Sequence, residues 1–170
     1  MAKKLTAATM NKMIKELDKK KKIYILDDHE VNIDITFKDS SINSIIVDYL
    51  TIFEKVQKKE TDVTEDELLK AMDGVLGALL LREFSDVPLI PKDISDIRKI
   101  INITNALLNT KIMENILPQF DPKEIERVKE KIELASKNIG QFMGEYAVKM
   151  AIDENKLSDN KEEVETDATV

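Results

Sequence analysis

Cysteine is absent from this 170-residue chain, which removes disulfide frameworks, thiolate nucleophiles and cysteine metal sites at a stroke. Tryptophan is missing too, and aromatics make up only 5%, which argues against a stacking platform for nucleic-acid bases. Only four glycines and four prolines punctuate the chain. They form no glycine-rich phosphate loop of either the Walker A or the GxGxxG kind, and a single histidine rules out HExxH. Long apolar runs are also missing. The longest, Val75–Leu81, contains a glycine and stops at Arg82 and Glu83. That is far below the roughly 20 residues a membrane-spanning helix needs. Lys3 and Lys4 lead into an amphipathic stretch rather than an apolar one, so no signal peptide is expected. These absences predict a soluble cytoplasmic protein that uses no cofactor and no metal.

What is present describes a helical protein. Hydrophobic residues reach 42% and charged residues 35%, and 170 residues suffice for one domain with a single core. The net charge of −7 is unevenly spread. Residues 153–170 hold seven acids and two lysines, or −5, leaving −2 for the other 152 residues. A nearly neutral body with an acidic appendage is not expected to attract nucleic acid. The appendage lacks apolar periodicity and is expected to stay disordered, because it buries too little surface to offset its ordering entropy.

The organising stretch is Asp121–Met150. Asp121, Pro122 and Glu124 supply an N-cap acceptor, a proline suited to the first turn, and an acid able to reach back to the cap. Apolar residues then recur at Ile125, Val128, Ile132, Ala135, Ile139, Phe142 and Tyr146, in alternating steps of three and four. That spacing predicts one long helix with a narrow seam. Upstream, Thr6–Asp18 reads as a short helix with Met10, Met13, Ile14 and Leu17 on one face. At about three turns it requires docking to be stable. Ile23–Leu26 and the alternating Val31–Phe37 predict a β-hairpin at about 22–37, turning through Asp27–Glu30. Ser40 or Ser41 is expected to cap a helix to about Lys58, facing inward with Ile42, Ile45, Ile46, Tyr49, Ile52, Phe53 and Val56. Thr64 and Glu67 form a capping box that opens the central helix, to about Phe84, with Leu68, Leu69, Met72, Val75, Leu76, Leu79 and Leu80 inward. Gly74 and Gly77 lie inside it, each costing about 1 kcal/mol relative to alanine, and close approach of another backbone is the expected compensation. After a proline-containing loop at 86–92, Asp93 is expected to cap a further helix. The domain organisation expected is therefore an N-terminal arm at 1–21, a mainly α domain at 22–152 with one hairpin, and an acidic tail at 153–170.

Candidate chemistry is sparse. His29 sits among Asp27, Asp28 and Glu30, but adjacent residues diverge and the spacing matches no zinc or calcium loop, so a hairpin turn explains it. No nucleophile elbow accompanies it for Ser-His-Asp catalysis. Lys19–Lys22 reads either as a solvated helix end that complements the dipole or as a phosphate or anionic-lipid contact. The expected sites are accordingly catalytic none, cofactor none and metal none. Surplus apolar surface gathers instead at Phe142, Met143, Tyr146 and Met150, beside Gly140 and Gly144. These side chains either complete the core or form a partner-binding surface, and the second reading makes self-association and protein partners the expectation.

The hairpin segment KKKKIYILDDHEVNIDITFKDS leading into SSINSIIVDYLTIFEKV, with the later INITNALLNTKIMENILPQFDPKEIERVKEKIELASKN, resembles the tail assembly chaperones of long-tailed phages of Gram-positive hosts. The resemblance covers residues 22–150 in the order and type of elements. It implies a non-catalytic role: binding tail tube or tape measure proteins, keeping them soluble, and self-assembling. It carries over no active-site residues; from the short apolar runs, no membrane partner is expected. Two rivals are a phage regulatory or anti-defence protein acting through protein contacts and a nucleic-acid-associated protein using Lys19–Lys22.

Overall fold

The computed structural model describes residues 4–137. The expected association residues Phe142, Met143, Tyr146 and Met150, the later half of the expected long helix and residues 153–170 lie outside the described residues. Two units divide the chain, Met1–Glu130 and Lys131–Val170. The first is mainly α with one small antiparallel hairpin, as the periodicity predicts; helix takes 65% of the structure, roughly twice the globular average.

In chain order the elements are α1 (Ala7–Leu17), β1 (Lys20–Ile25), β2 (His29–Asp34), α2 (Asp39–Gln57), α3 (Glu65–Phe84), α4 (Ile97–Asn109) and α5 (Ile112–Ile116). A 3-10 turn at Leu117–Gln119 then leads into α6, which opens at residue 122 and runs through the last described residue, 137. Strands β1 and β2 pair in register from Lys20 opposite Asp34 to Ile25 opposite His29. Their turn is Leu26–Asp28, one residue earlier than the expected loop, with Leu26 and Asp27 both left-handed at φ 46° and 75°. The hairpin buries Ile23, Ile25, Val31 and Ile33 on one face and shows Lys20, Lys22 and Tyr24 on the other. Its second strand is flanked by Ser85, which bridges Ile33, and by Asp86, whose N–H donates to the Asn32 carbonyl. The Asp86 carboxylate accepts from the backbone N–H and the side-chain amide of Asn32, each at 2.8 Å.

Helix α3 is the central element, packed against α2, α4 and α5. Its N-terminus is the expected capping box: the Thr64 hydroxyl accepts from the Glu67 N–H, and the Glu67 carboxylate accepts from the Thr64 N–H. The glycines let side chains rather than backbone come close. A methyl group on Gly74 would meet the Thr104 methyl at 2.7 Å, and one on Gly77 would meet the Met113 sulfur at 2.8 Å. At the junction of hairpin and helices, Phe37 stacks on Phe84 (3.7 Å between ring centres) and meets Phe120 edge-on.

Three helix starts differ from expectation. Lys38, not Ser40 or Ser41, precedes α2 and makes no side-chain cap. Helix α4 starts at Ile97 with Asp96 as its cap, because the Asp93 carboxylate is spent on Ser95, accepting from its N–H and hydroxyl. At α6, Asp121 accepts from the Lys123 N–H as expected, but Glu124 does not turn back to the cap. It accepts from the Phe37 N–H, while Arg127, one turn later, donates to the Phe37 carbonyl. The two side chains clamp both sides of one peptide position in the β2–α2 connection. At α4 and α6 a neighbouring or tertiary donor competed successfully for the expected capping group. Helix ends are no easier to read, since the left-handed residues past α2 and α4 are Lys59 and Lys111 instead of glycine.

Candidate functional site

Helix α1 follows the local rules for a helix and then breaks the rule for a folded one. The Thr6 hydroxyl accepts from the Thr9 N–H at 3.2 Å, and Asp18 closes the C-terminus through bonds to the Ile14 and Glu16 carbonyls. Met10, Met13, Ile14 and Leu17 follow the i, i+3, i+4, i+7 pattern of an apolar stripe. None of its residues is buried. Met10 is 50% exposed, Met13 60%, Ile14 52% and Leu17 41%. An apolar stripe on an eleven-residue helix has no stabilising role unless something covers it. The docking that the sequence analysis required for this helix is not provided by the rest of the first unit.

Charge sharpens the contrast between this arm and the remainder. Residues 1–22 hold eight lysines against Glu16 and Asp18, which gives +6. Since the whole chain carries −7, the other 148 residues carry −13. A net positive charge is therefore this segment's own feature, since the lysines elsewhere are outnumbered by acids. On α1, Lys12 and Lys15 lie across the helix from the stripe, as the 100° step between residues requires. Lys19 pairs with Glu16 at 2.5 Å and Lys38 with Asp18 at 2.5 Å, which ties the end of α1 to the start of α2. Lys20 and Lys22 are not a helix end: they belong to β1 and pair across the hairpin with Asp34 (3.5 Å) and Glu30 (3.0 Å).

A second apolar feature lies between α2 and α3. Phe53, Val56 and Gln57 of α2 and Glu65, Leu68 and Leu69 of α3 line a shallow groove. Val56 and Leu68 form its buried floor, and Leu69, expected to face inward, is 64% exposed at its rim. One helical turn back along α2, Tyr49 is half-buried, and burial followed by the nearby Asp73 pushes its hydroxyl pKa up. Asp73, Leu69 and Glu65 thus run along α3 beside Tyr49, Phe53 and Gln57 on α2. Glu54 and Asp66 are paired within their helices with Lys58 and Lys70, both at 2.5 Å, whereas Glu65 has no ion-pair partner among the described residues.

The remaining ionic clusters are structural in their geometry. Arg82 is buried, donating to Asp48 at 2.6 Å and to Glu83 at 2.9 Å, and so fixes α3 to α2; its Nη1 has no partner among the described residues. Arg98 spans Glu67 (2.8 Å) and Asp62 (3.1 Å), joining the start of α4 to the start of α3. With the Arg98 guanidinium first, and the Thr64 backbone and hydroxyl next, these donors pull the Glu67 carboxyl down to about 2. His29 is exposed at the first position of β2, opposite Ile25. No group of three metal-ligating side chains occurs among the described residues, and none of their helices is long and apolar enough to cross a membrane.

The surface that sequence reasoning passed over is thus the α1 stripe, assigned in advance to a docked helix. Its signal was available as a short amphipathic segment with lysines on its far side, but periodicity does not say which surface covers a stripe. Comparison with known families gives a match between residues 7–167 and the family model described as YomO. No curated protein and no solved structure matches.

Proposed function

This chain belongs to the YomO family, a phage-derived family, and from that membership and the uncovered α1 stripe we propose that it is a non-enzymatic assembly protein of a phage. In the finer reading it is a tail assembly chaperone: it acts in the host cytoplasm by holding tail tube or tape measure protein, with no cofactor and no chemical step. The observation that carries the reading is the pairing of a well-packed body with a helix whose apolar face is left open. A stripe of two methionines, an isoleucine and a leucine suits varied partner surfaces, because methionine repacks easily. The net charge of −7 favours solubility while such a surface is exposed. Self-association belongs to the same reading. The resemblance of residues 22–150 to the chaperones of long-tailed phages supports the choice of client.

Co-expression tests it. The tail tube and tape measure proteins of the same phage, each produced with and without the full chain, should gain solubility and co-purify with it. Insoluble clients in both cases, with no co-purification, would contradict the chaperone reading.

A further inference from the structure

We infer that α1 of one copy docks into the α2–α3 groove of a second copy, so that the chain assembles head to tail. The inference rests on the proposed self-association and specifies its geometry. Three observations favour this occupant.

The first is the fit of the two surfaces. From Met10 to Leu17 the stripe covers about 10 Å of helix at 1.5 Å per residue. The groove's α2 wall, Phe53 to Gln57, covers about 6 Å by the same measure, and the same face of α2 continues one turn back to the half-buried Tyr49, about 12 Å in all. Leu69 offers the groove's exposed apolar rim, the partly buried Phe53 a wall, and Val56 and Leu68 its floor. The second is charge: residues 1–19, up to the end of the arm, carry +3 against −10 for the remainder, and the groove's α3 wall carries Glu65, with Asp73 two turns further along α3. Attraction of this kind is long-range, steering the arm toward another copy's body and weakening with salt.

The third is reach. Asp18, just past the end of α1, is held to Lys38 at the start of α2. The groove's α2 wall runs from Phe53 to Gln57, between about 22 and 28 Å further along α2. Eleven residues of helix extend only about 16 Å. The arm therefore cannot lay Met10–Leu17 along its own groove while its end stays at Lys38, whereas another copy's arm has no such tether. Because arm and groove are different patches, each contact leaves one of each free, and assembly continues until a ring closes or a filament grows.

Sedimentation velocity on the full chain tests this with two variants. Met13→Glu with Leu17→Glu disables the arm, and Leu69→Glu disables the groove; all three sites are exposed, so both variants should fold with wild-type circular dichroism. Wild-type protein should form larger species as concentration rises, fewer at high salt, and each variant alone should remain monomeric. An equimolar mixture of the two should form a dimer and nothing larger, since one intact arm and one intact groove remain. Larger species from either variant alone would overturn the arm-in-groove contact while leaving self-association in place. A wild-type chain that is monomeric at every concentration would overturn both. If the arm variant assembles normally but loses a tail client, or if wild type instead sediments with phosphatidylserine vesicles, the stripe serves another partner and the inference fails.

Discussion

Helices α1 and α4 are near equals by every local measure. They have eleven and thirteen residues, each starts at a side-chain cap that accepts from a backbone N–H three residues on, and each carries a clear apolar stripe. Yet α4 buries Ile97, Ile100, Ile101, Thr104 and Leu107, and α1 buries nothing. The caps and the period explain why both are helices; they do not distinguish the fates of the two stripes. Helix α4 is covered because α3 offers it Gly74, where Thr104 and Leu108 approach too closely for any larger residue. Helix α1 has a charged C-terminal tether to Lys38, and the two glycines of α3 receive side chains of α4, α5 and the 3-10 turn, not of α1. In this protein the difference between core and contact surface is made by the receiving side.

Substitutions should break that symmetry sharply. The largest effect is expected for a charge placed on the covered stripe: Ile100→Asp buries an unpaired carboxylate and should destabilise by about 3 kcal/mol or more. Met13→Glu, the matching change on α1, should stay within about 0.5 kcal/mol. Urea titrations of both variants check this, and similar losses would mean that α1 is core. Next come the glycines. Gly74→Ala strikes the stiff, β-branched Thr104 and should lose about 1–3 kcal/mol. Gly77→Ala meets the flexible end of Met113, so repacking and the helix-propensity gain of about 1 kcal/mol should nearly cancel. Gly77→Leu exceeds what Met113 and Leu117 can yield and should lose about 1–3 kcal/mol. Thermal melts that rank Gly77→Ala below Gly74→Ala would show the packing account of α3 to be mistaken.

The smallest effect is a pH dependence. Glu67, held down to about 2 by Arg98 and Thr64 in the folded chain, titrates near 4.3 when unfolded. Between these values the unfolded state binds the extra proton, so stability rises with pH. The Glu67 contribution is complete above the unfolded value and disappears as pH falls toward 2. In Glu67→Gln the slope of stability against pH between 4.5 and 2 should be shallower than in wild type. Identical slopes would remove the Arg98–Glu67 pair from the account.

Where sequence could be read, the reason was local. The hairpin alternates with period two, Thr64 and Glu67 satisfy each other within one turn, and Pro118 stops α5 where a proline must. Where it could not, a distant group had intervened. Glu124 looks like half of a capping box until the Phe37 N–H is brought to it from 87 residues away. Leu69 fits the α3 stripe but stays exposed at the rim of the groove between α2 and α3. Lys19–Lys22 reads as one basic run, and only the strand pairing separates Lys20 and Lys22, each with a cross-strand acid, from Lys19 on the helix side. The interaction surface was legible as an amphipathic helix and illegible as an open one, since openness depends on every other element.

The absence of cysteine allows the central claim to be tested with a single thiol. Met13→Cys and, as a buried control, Ile100→Cys each give a chain with one reactive site, labelled by a small maleimide and followed by mass spectrometry. In dilute, low-concentration protein the thiol at 13 should react as fast as a free peptide thiol and the one at 100 should react only on global unfolding. Concentrating the protein should then protect position 13 and leave position 100 unchanged. Protection of position 13 at every dilution would show that the chain covers its own stripe, and the account of α1 as an open contact surface would be wrong.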